Sequence, residues 1–400
     1  MKKEKIAIVN PMLGYKKTGA GPRSFWIIEA LKDHYDLFLI TIGNINFELI
    51  NAAWGTKIKL HEVNIIKFPQ FFLNHTNRFT QLKYSVVGNI CKKISKEFDV
   101  MFSTYNVMDF GKRGIQYIGD FLFLDKLREH LYNIPEKREK GWFYKNSLLR
   151  KAYLKIACSL YSPDEEMIWR NLTLVNSKWS QRLLKQYYGI NSEVVYPPVI
   201  GNFINISWDK KETGFICLAN LVPFKQIERA VTILSKVRNK GFDIHLHLIG
   251  RIEDSYYAKK LIQLCSLNKE WCYYEGEMYG EKKLNFISQH KFGINCCQNE
   301  AFGIAIAEMV NSGAIVWVPN GGGQVEIVDH PMLIYKNEDD AVKKIIRVLK
   351  ENSTQVNLRS HLANQAKKFS TEVFMKSIRN VIKEFSNENK RKNKTKKCSQ

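Results

Sequence analysis

Short runs of β-branched and aromatic residues, each bounded by turn formers, alternate along this chain with stretches whose apolar positions recur every three or four residues. In the first half the runs at 5–9, 36–42, 99–103, 114–118, 172–176 and 193–196 read as strands, and 24–34 and 178–188 as helices between them. Such alternation predicts parallel sheets covered by helices, because a parallel crossover needs a helix-length connection. The pattern breaks at Tyr196-Pro197-Pro198-Val199. Consecutive prolines lack N–H donors and can continue neither a helix nor a central strand, so this point reads as a linker. Beyond it the alternation resumes, with strands predicted at 214–219, 243–249, 271–275, 291–296 and 314–318, and helices at 226–240, 255–267, 281–290, 304–312, 338–351 and 371–385. The expected fold is α/β, with two Rossmann-like doubly wound domains facing a central cleft. Residues 1–198 form the first domain and 199–370 the second, and the terminal helix 371–386 packs back on the first. Residues 387–400, with the run KRKNKTKK, are expected to be a basic disordered tail. A ligand is expected outside the carboxyl ends of the strands.

A length of 400 residues suits two cores. The net charge of +22 calls for an acidic partner: nucleic acid, an anionic membrane or a phosphorylated ligand. A basic nucleic-acid-binding protein is one alternative, but no recognition module or cluster of stacking aromatics supports it, and no nucleic acid is expected. A dinucleotide-dependent dehydrogenase fits poorly. No GxGxxG follows the first strand, and Thr41 and Gly43 stand where an acidic ribose ligand would be. No apolar run approaches a membrane span, and the start MKKEKIAIVNPMLG reads as a first strand rather than a leader. The eight cysteines show no CxxC pair, which fits reduced thiols and a cytoplasmic setting. Adjacent Cys296 and Cys297 read as buried thiols. No metal and no cofactor are expected: HExxH and similar ligand spacings are missing, Asp339-Asp340 reads as a helix cap, and His245 and His247, alternating on one strand face, read as structural. The basic, aromatic stretch KREKGWFYKNSLLRKAYLKIACSLY at 137–161 has two readings: a surface that lies on an anionic membrane, or a solvated helix with a core-facing stripe.

The chemistry concentrates in NEAFGIAIAEMVNSGAIVWVPNGGGQVEIVD, residues 299–329. Glu300 follows a strand, Phe302-Gly303-Ile304 open a helix, and Glu308 lies one turn inside it. Gly303 permits close approach to the backbone, and the free N–H groups and dipole of a helix N-terminus favour an anion such as a diphosphate. Carboxylates before and within the turn are strong acceptors for sugar hydroxyls. Asn320-Gly321-Gly322-Gly323 reads as a second backbone-donor loop.

This segment resembles the E-x7-E donor motif of retaining GT-B glycosyltransferases, in glycosyltransferase family four. EAFGIAIAEMVNSG followed by NGGGQVEIV is similar to the mannosyltransferases that extend lipid-linked oligosaccharides. The resemblance covers the second domain and, more weakly, the first. It implies a metal-independent hexosyltransferase. Glu300 would hold the donor sugar and Glu308 the ribose. Lys225 and the helix N-terminus at Phe302, Gly303 and Ile304 would stabilise the leaving diphosphate, with Gly19, Gly21 and Gly322 in glycine loops and Arg251 and Met278 at the nucleotide. Asn220 stands where the family has an arginine. Gly119 stands where it usually places a histidine, with Asp120 beside it to take a polar catalytic role. A GT-B relative that binds sugars without transferring them is the alternative these departures leave open. The implied donor is a nucleotide sugar, leaning to GDP-mannose, and the implied acceptor a saccharide or polyprenyl-linked saccharide. The implied location is cytoplasmic, with peripheral contact at an anionic membrane face.

Overall fold

The computed structural model describes residues 3–11, 13, 20–42, 45–66, 80–121, 124–132 and 148–398. Seven strands make a first parallel sheet: β1 (Lys5–Val9), β2 (Asp36–Ile40), β3 (Val63–Ile66), β4 (Val100–Ser103), β5 (Ile115–Ile118), β6 (Leu172–Val175) and β7 (Glu193–Val194), in the order β3-β2-β1-β4-β5-β6-β7. Six more make a second: β8 (Glu212–Leu218), β9 (His245–Ile249), β10 (Cys272–Gly276), β11 (His290–Ile294), β12 (Ile315–Pro319) and β13 (Ile334–Tyr335), in the order β10-β9-β8-β11-β12-β13. Strand order reverses between β1 and β4 and again between β8 and β11. Those are the crevices where doubly wound sheets take ligands.

Both faces of each sheet are covered, so the central strands are buried throughout; Val100–Ser103 and Ile115–Ile118 have no exposed position. The second core is built on Phe215, Phe292 and Trp317, whose rings contact one another across β8, β11 and β12. Several elements escaped the periodicity, β3 among them. β13 is only two residues long. The helix Asn352–Ala366 buries Gln355, Leu358, Leu362 and Gln365, so half its inward face is polar and no apolar stripe marks it.

The terminal helix runs Thr371–Cys398. Phe374, Ile378, Val381, Ile382 and Phe385 lie in the core of the first domain, beside Phe25 and Trp26. The expectation of a disordered tail from residue 387 is corrected: the helix continues to Cys398. Ion pairs Arg113–Glu388 at 3.0 Å and Lys390–Glu4 at 2.6 Å tie its extension to the first domain. Composition sees only the charge density, whereas the pairing of Glu388 and Lys390 with Arg113 and Glu4 depends on where the packed helix carries those side chains.

At the linker, Val199 N–H donates to Phe369 O at 2.9 Å, and the Tyr196, Phe302 and Phe369 rings form a mutual cluster with centroids 5.2 to 5.9 Å apart.

Candidate donor site

The ends of β8 and β11 bring the first two residues together. After β8 the chain makes a tight turn, Pro223–Lys225, closed by Gln226 in the left-handed region at φ 50°. After β11 it passes Cys296 and Cys297, whose thiols burial pushes up to about 12 and so keeps inert. It then reaches Glu300. Lys225 Nζ donates to Glu300 Oε2 at 2.5 Å. Burial opposes the lysine charge, yet the Glu300 carboxylate leaves it held above its ordinary value. A cation and a carboxylate, residue types suited to a diphosphate and to hydroxyls, thus share one point at the switch of the second sheet.

Gly303 caps the helix Ile304–Asn311 at φ 102°. A Cβ there would lie 2.5 Å from Ile306 Cδ1 and 3.3 Å from Glu300 Cγ, so glycine is required by both backbone and space. Glu308, on the same helix, is nearly buried and accepts from Lys283 Nζ at 2.6 Å. The side chain of Phe302 is buried against Tyr196 and Phe369, so only its backbone is left to face a ligand. Met278 is likewise buried in the second core.

The glycine loop 320–323 makes its contacts within the protein itself. Gly321 N–H donates to Pro319 O and Gly323 N–H to Glu300 O at 2.7 Å, so two of its donors are already used. Added Cβ atoms at Gly321, Gly322 and Gly323 would lie 2.6, 2.4 and 2.2 Å from the carbonyl oxygens of Gln298, Glu300 and Ala301. The loop lies flat against the Glu300 segment and fixes it. Gln324, fully buried, completes the clamp: it donates to Cys297 O at 2.6 Å and accepts from Asn295 at 2.5 Å. A lone glutamine after three glycines carried no signal of this in the sequence.

Asn220 donates to Glu253 Oε1 at 2.9 Å, and Arg251 Nη2 bonds the same oxygen. The position that lacks an arginine therefore has one beside it, supplied by the turn after β9. Gly119 has a similar explanation. Its Cβ would lie 2.2 Å from Arg23 Nη1. Arg23 is buried, donates to Thr104 O at 2.6 Å and lies over the Tyr117 ring at 4.1 Å. Burial lowers its pKa, with the Tyr117 and Asp120 charges acting against that shift. The guanidinium fills the space where a side chain at 119 would extend, with Asp120 nearby.

The helix Asp125–Tyr132 reaches from the first domain to the second. Asn299 donates to Leu131 O at 3.0 Å, and the Tyr132 ring meets Phe224 at 5.3 Å. Burial raises the Tyr132 pKa, as do the charges of Glu300 and Asp120. Sequence reasoning missed this tyrosine. Gly21 lies in the helix Ala20–Leu31, and Gly19 falls outside the described residues.

Residues 202–369 match the family model described as glycosyl transferases group 1. The second domain is a glycosyl transferases group 1 domain. This group 1 domain holds Lys225, Glu300 and Glu308, and the relatives extend the likeness into the first domain. Over 211 residues the chain is 28% identical to the GDP-Man:Man(3)GlcNAc(2)-PP-Dol alpha-1,2-mannosyltransferase of Eremothecium gossypii, covering 48% of this chain but 34% of that protein. Over 349 residues it is 21% identical to the mouse protein of the same name, covering 76% of this chain and 70% of that one. The whole architecture is similar to that of Anabaena HepE in complex with UDP and glucose, with a TM-score of 0.64 at 14% identity, covering 95% of this chain and 99% of that one. The group 1 domain and its partner sheet together have the GT-B glycosyltransferase fold.

Proposed function

We propose that the chain transfers a hexose from a nucleoside-diphosphate sugar to a hydroxyl of a saccharide carried on a polyprenyl lipid, with mannose from GDP-mannose as donor. The observation that carries this reading is the Lys225–Glu300 pair at 2.5 Å, set between two turns at the mouth of the second sheet. On donor binding Lys225 would exchange its carboxylate for the diphosphate, and Glu300 would accept from sugar hydroxyls. Glu308, positioned by Lys283, would take the ribose hydroxyls. Charge developing on the leaving diphosphate would meet Lys225, the backbone N–H groups at Gly303 and the nearby Arg251, all fixed before reaction. The acceptor hydroxyl would attack the sugar on the face the diphosphate leaves, with retention, and its proton would pass to the departing diphosphate. The tyrosine helix Asp125–Tyr132 would exclude water.

The proposed acceptor site is a membrane surface. The helix Leu148–Tyr161 buries Ala157 and Tyr161 but exposes Leu148, Ile156 and Leu160 beside Lys151 and Lys155. An apolar face edged by lysines suits an anionic interface. Among the described residues no helix is long and apolar enough to cross a membrane.

A donor panel assayed with EDTA present tests the reading. One nucleotide sugar is expected to turn over, and Glu300→Ala and Lys225→Ala each to lose about 10²–10³-fold in kcat. A donor that binds but never transfers in the presence of polyprenyl-linked acceptors would favour a sugar-binding protein. The observation on that side is Arg23 filling the space at Gly119.

A further inference from the structure

The edge of the second sheet opposite the donor loops carries a different kind of cluster. Glu212 opens β8, His245 opens β9 and His290 opens β11, and β8 lies between the other two. His247 lies one pleat further along β9. One ligand-capable atom from each of these four side chains lies within 4.8 Å of the others. Glu212 Oε2 stands 3.4 Å from His245 Nε2 and 3.7 Å from His290 Nε2. Ligands held at about 2.0–2.1 Å around a tetrahedral ion stand roughly 3.3–3.5 Å apart.

Three observations separate this from ordinary aromatic packing. His245 Nε2 and His290 Nε2 are buried without a hydrogen-bond partner, and His290 is 1% exposed. An orphaned buried nitrogen is costly, and two at one point call for a shared partner. His290 and His247 engage their other ring nitrogens. His290 Nδ1 faces Phe286 O at 2.8 Å, and since a carbonyl only accepts, Nδ1 carries the hydrogen and Nε2 a lone pair. His247 Nδ1 meets Glu275 Oε1 at 2.7 Å, which leaves its Nε2 to ligate. Carbonyl and carboxylate partners of this kind orient metal-bound histidines. Lastly, Gly214 leaves the space above β8 open. A Cβ there would lie 2.0 Å from His245 Nε2, so only glycine lets this imidazole lean across β8 towards His290.

We propose that Glu212, His245, His247 and His290 hold one Zn2+ ion as a structural brace across β8, β9 and β11. Imidazole and carboxylate donors in a near-tetrahedral arrangement suit Zn2+, and four protein ligands leave no open position for catalysis. The ion lies under the three strands whose far ends carry Lys225, Arg251 and Glu300. It takes no part in the transfer reaction, and the site stands or falls independently of that reading.

The test uses the untagged full chain, desalted and analysed for zinc, then titrated with Zn2+ against a chromophoric chelator and with Co2+. Expected are one zinc per chain, intense visible Co2+ bands of a tetrahedral site, and a Tm raised by Zn2+. The double variant His245→Ala/His247→Ala loses all three, and Glu275→Gln weakens affinity about 10–100-fold. The pair His330→Ala/His361→Ala, at the other histidine contact, changes none of them. Should the double variant fail to fold, Glu212→Gln at its half-exposed position carries the same comparison. Zinc content, spectrum and Tm shift indistinguishable between wild type and the ligand variants would overturn the proposal. So would a wild type that takes up neither Zn2+ nor Co2+.

Discussion

At the scale of single residues, substitutions at two positions probe what the neighbourhood permits. Arg23 is pinned by Thr104 and Tyr117 and cannot yield to a side chain at 119. Gly119→Ala is expected to cost about 1–3 kcal/mol by overpacking, read as a fall in Tm, and Gly119→His more. The histidine that the resemblance implies at this position would therefore damage this chain. Asp109 is fully buried. Burial opposes its charge, but Asp164 N–H at 2.9 Å, Lys92 Nζ at 2.7 Å and Gly111 N–H at 2.7 Å hold its pKa below the ordinary value. A depressed carboxylate contributes stability above its unfolded pKa and loses it as pH falls through the folded one. Asp109→Asn should then lower Tm by the equivalent of about 1–3 kcal/mol at pH 7, with the gap to wild type closing in acid below the ordinary aspartate value. A gap independent of pH would refute the charge argument.

At the scale of elements, the terminal helix Thr371–Cys398 has two parts with different energetics. Up to Phe385 it fills the first core. Beyond that it is held by the partly exposed pairs Arg113–Glu388 and Lys390–Glu4. Pairs of that kind contribute about 0–1 kcal/mol each. Truncation after residue 386 should leave Tm within a few degrees of wild type, whereas Phe385→Ala should cost about 3–5 kcal/mol. Equal effects of the two changes in thermal unfolding would contradict this division.

At the scale of the molecule, Glu326 joins the domains. Its carboxylate accepts from Lys178 N–H at 3.0 Å and Trp179 N–H at 2.8 Å, at the start of the helix Lys178–Tyr188, and from Tyr196 OH at 2.8 Å at the linker. Ser177 Oγ adds a bond to Ala301 O at 2.7 Å, beside Glu300. An anion at a helix N-terminus is favourable, and this one comes from the other domain. Glu326→Ala should speed hydrogen exchange at the amides of 178 and 179 at least tenfold and raise the KM for donor more than it lowers kcat. Unchanged exchange would mean that the two domains are held by other contacts.

Much of the architecture was legible because its signals are local. Buried strands such as Ile115–Ile118 and amphipathic helices such as Lys178–Tyr188 declare themselves by period, and the proline linker declares the break between sheets. Asn352–Ala366 and the tail were not legible, since glutamines line the buried face of one and charge masks the helix of the other. The candidate donor segment was legible as a motif because Glu300, Gly303 and Glu308 lie within nine positions of one another. What faces what was not. Arg23 beside Gly119, Tyr132 against Phe224, Gln324 clamping the Glu300 loop and three histidines meeting Glu212 each join positions distant in the chain. The sequence by itself determined the alternation of elements and the one contiguous motif, since period and spacing act over a few residues. Only the tertiary structure decided which far-apart charges and rings became neighbours, because parallel strand order brings together segments that no local pattern relates.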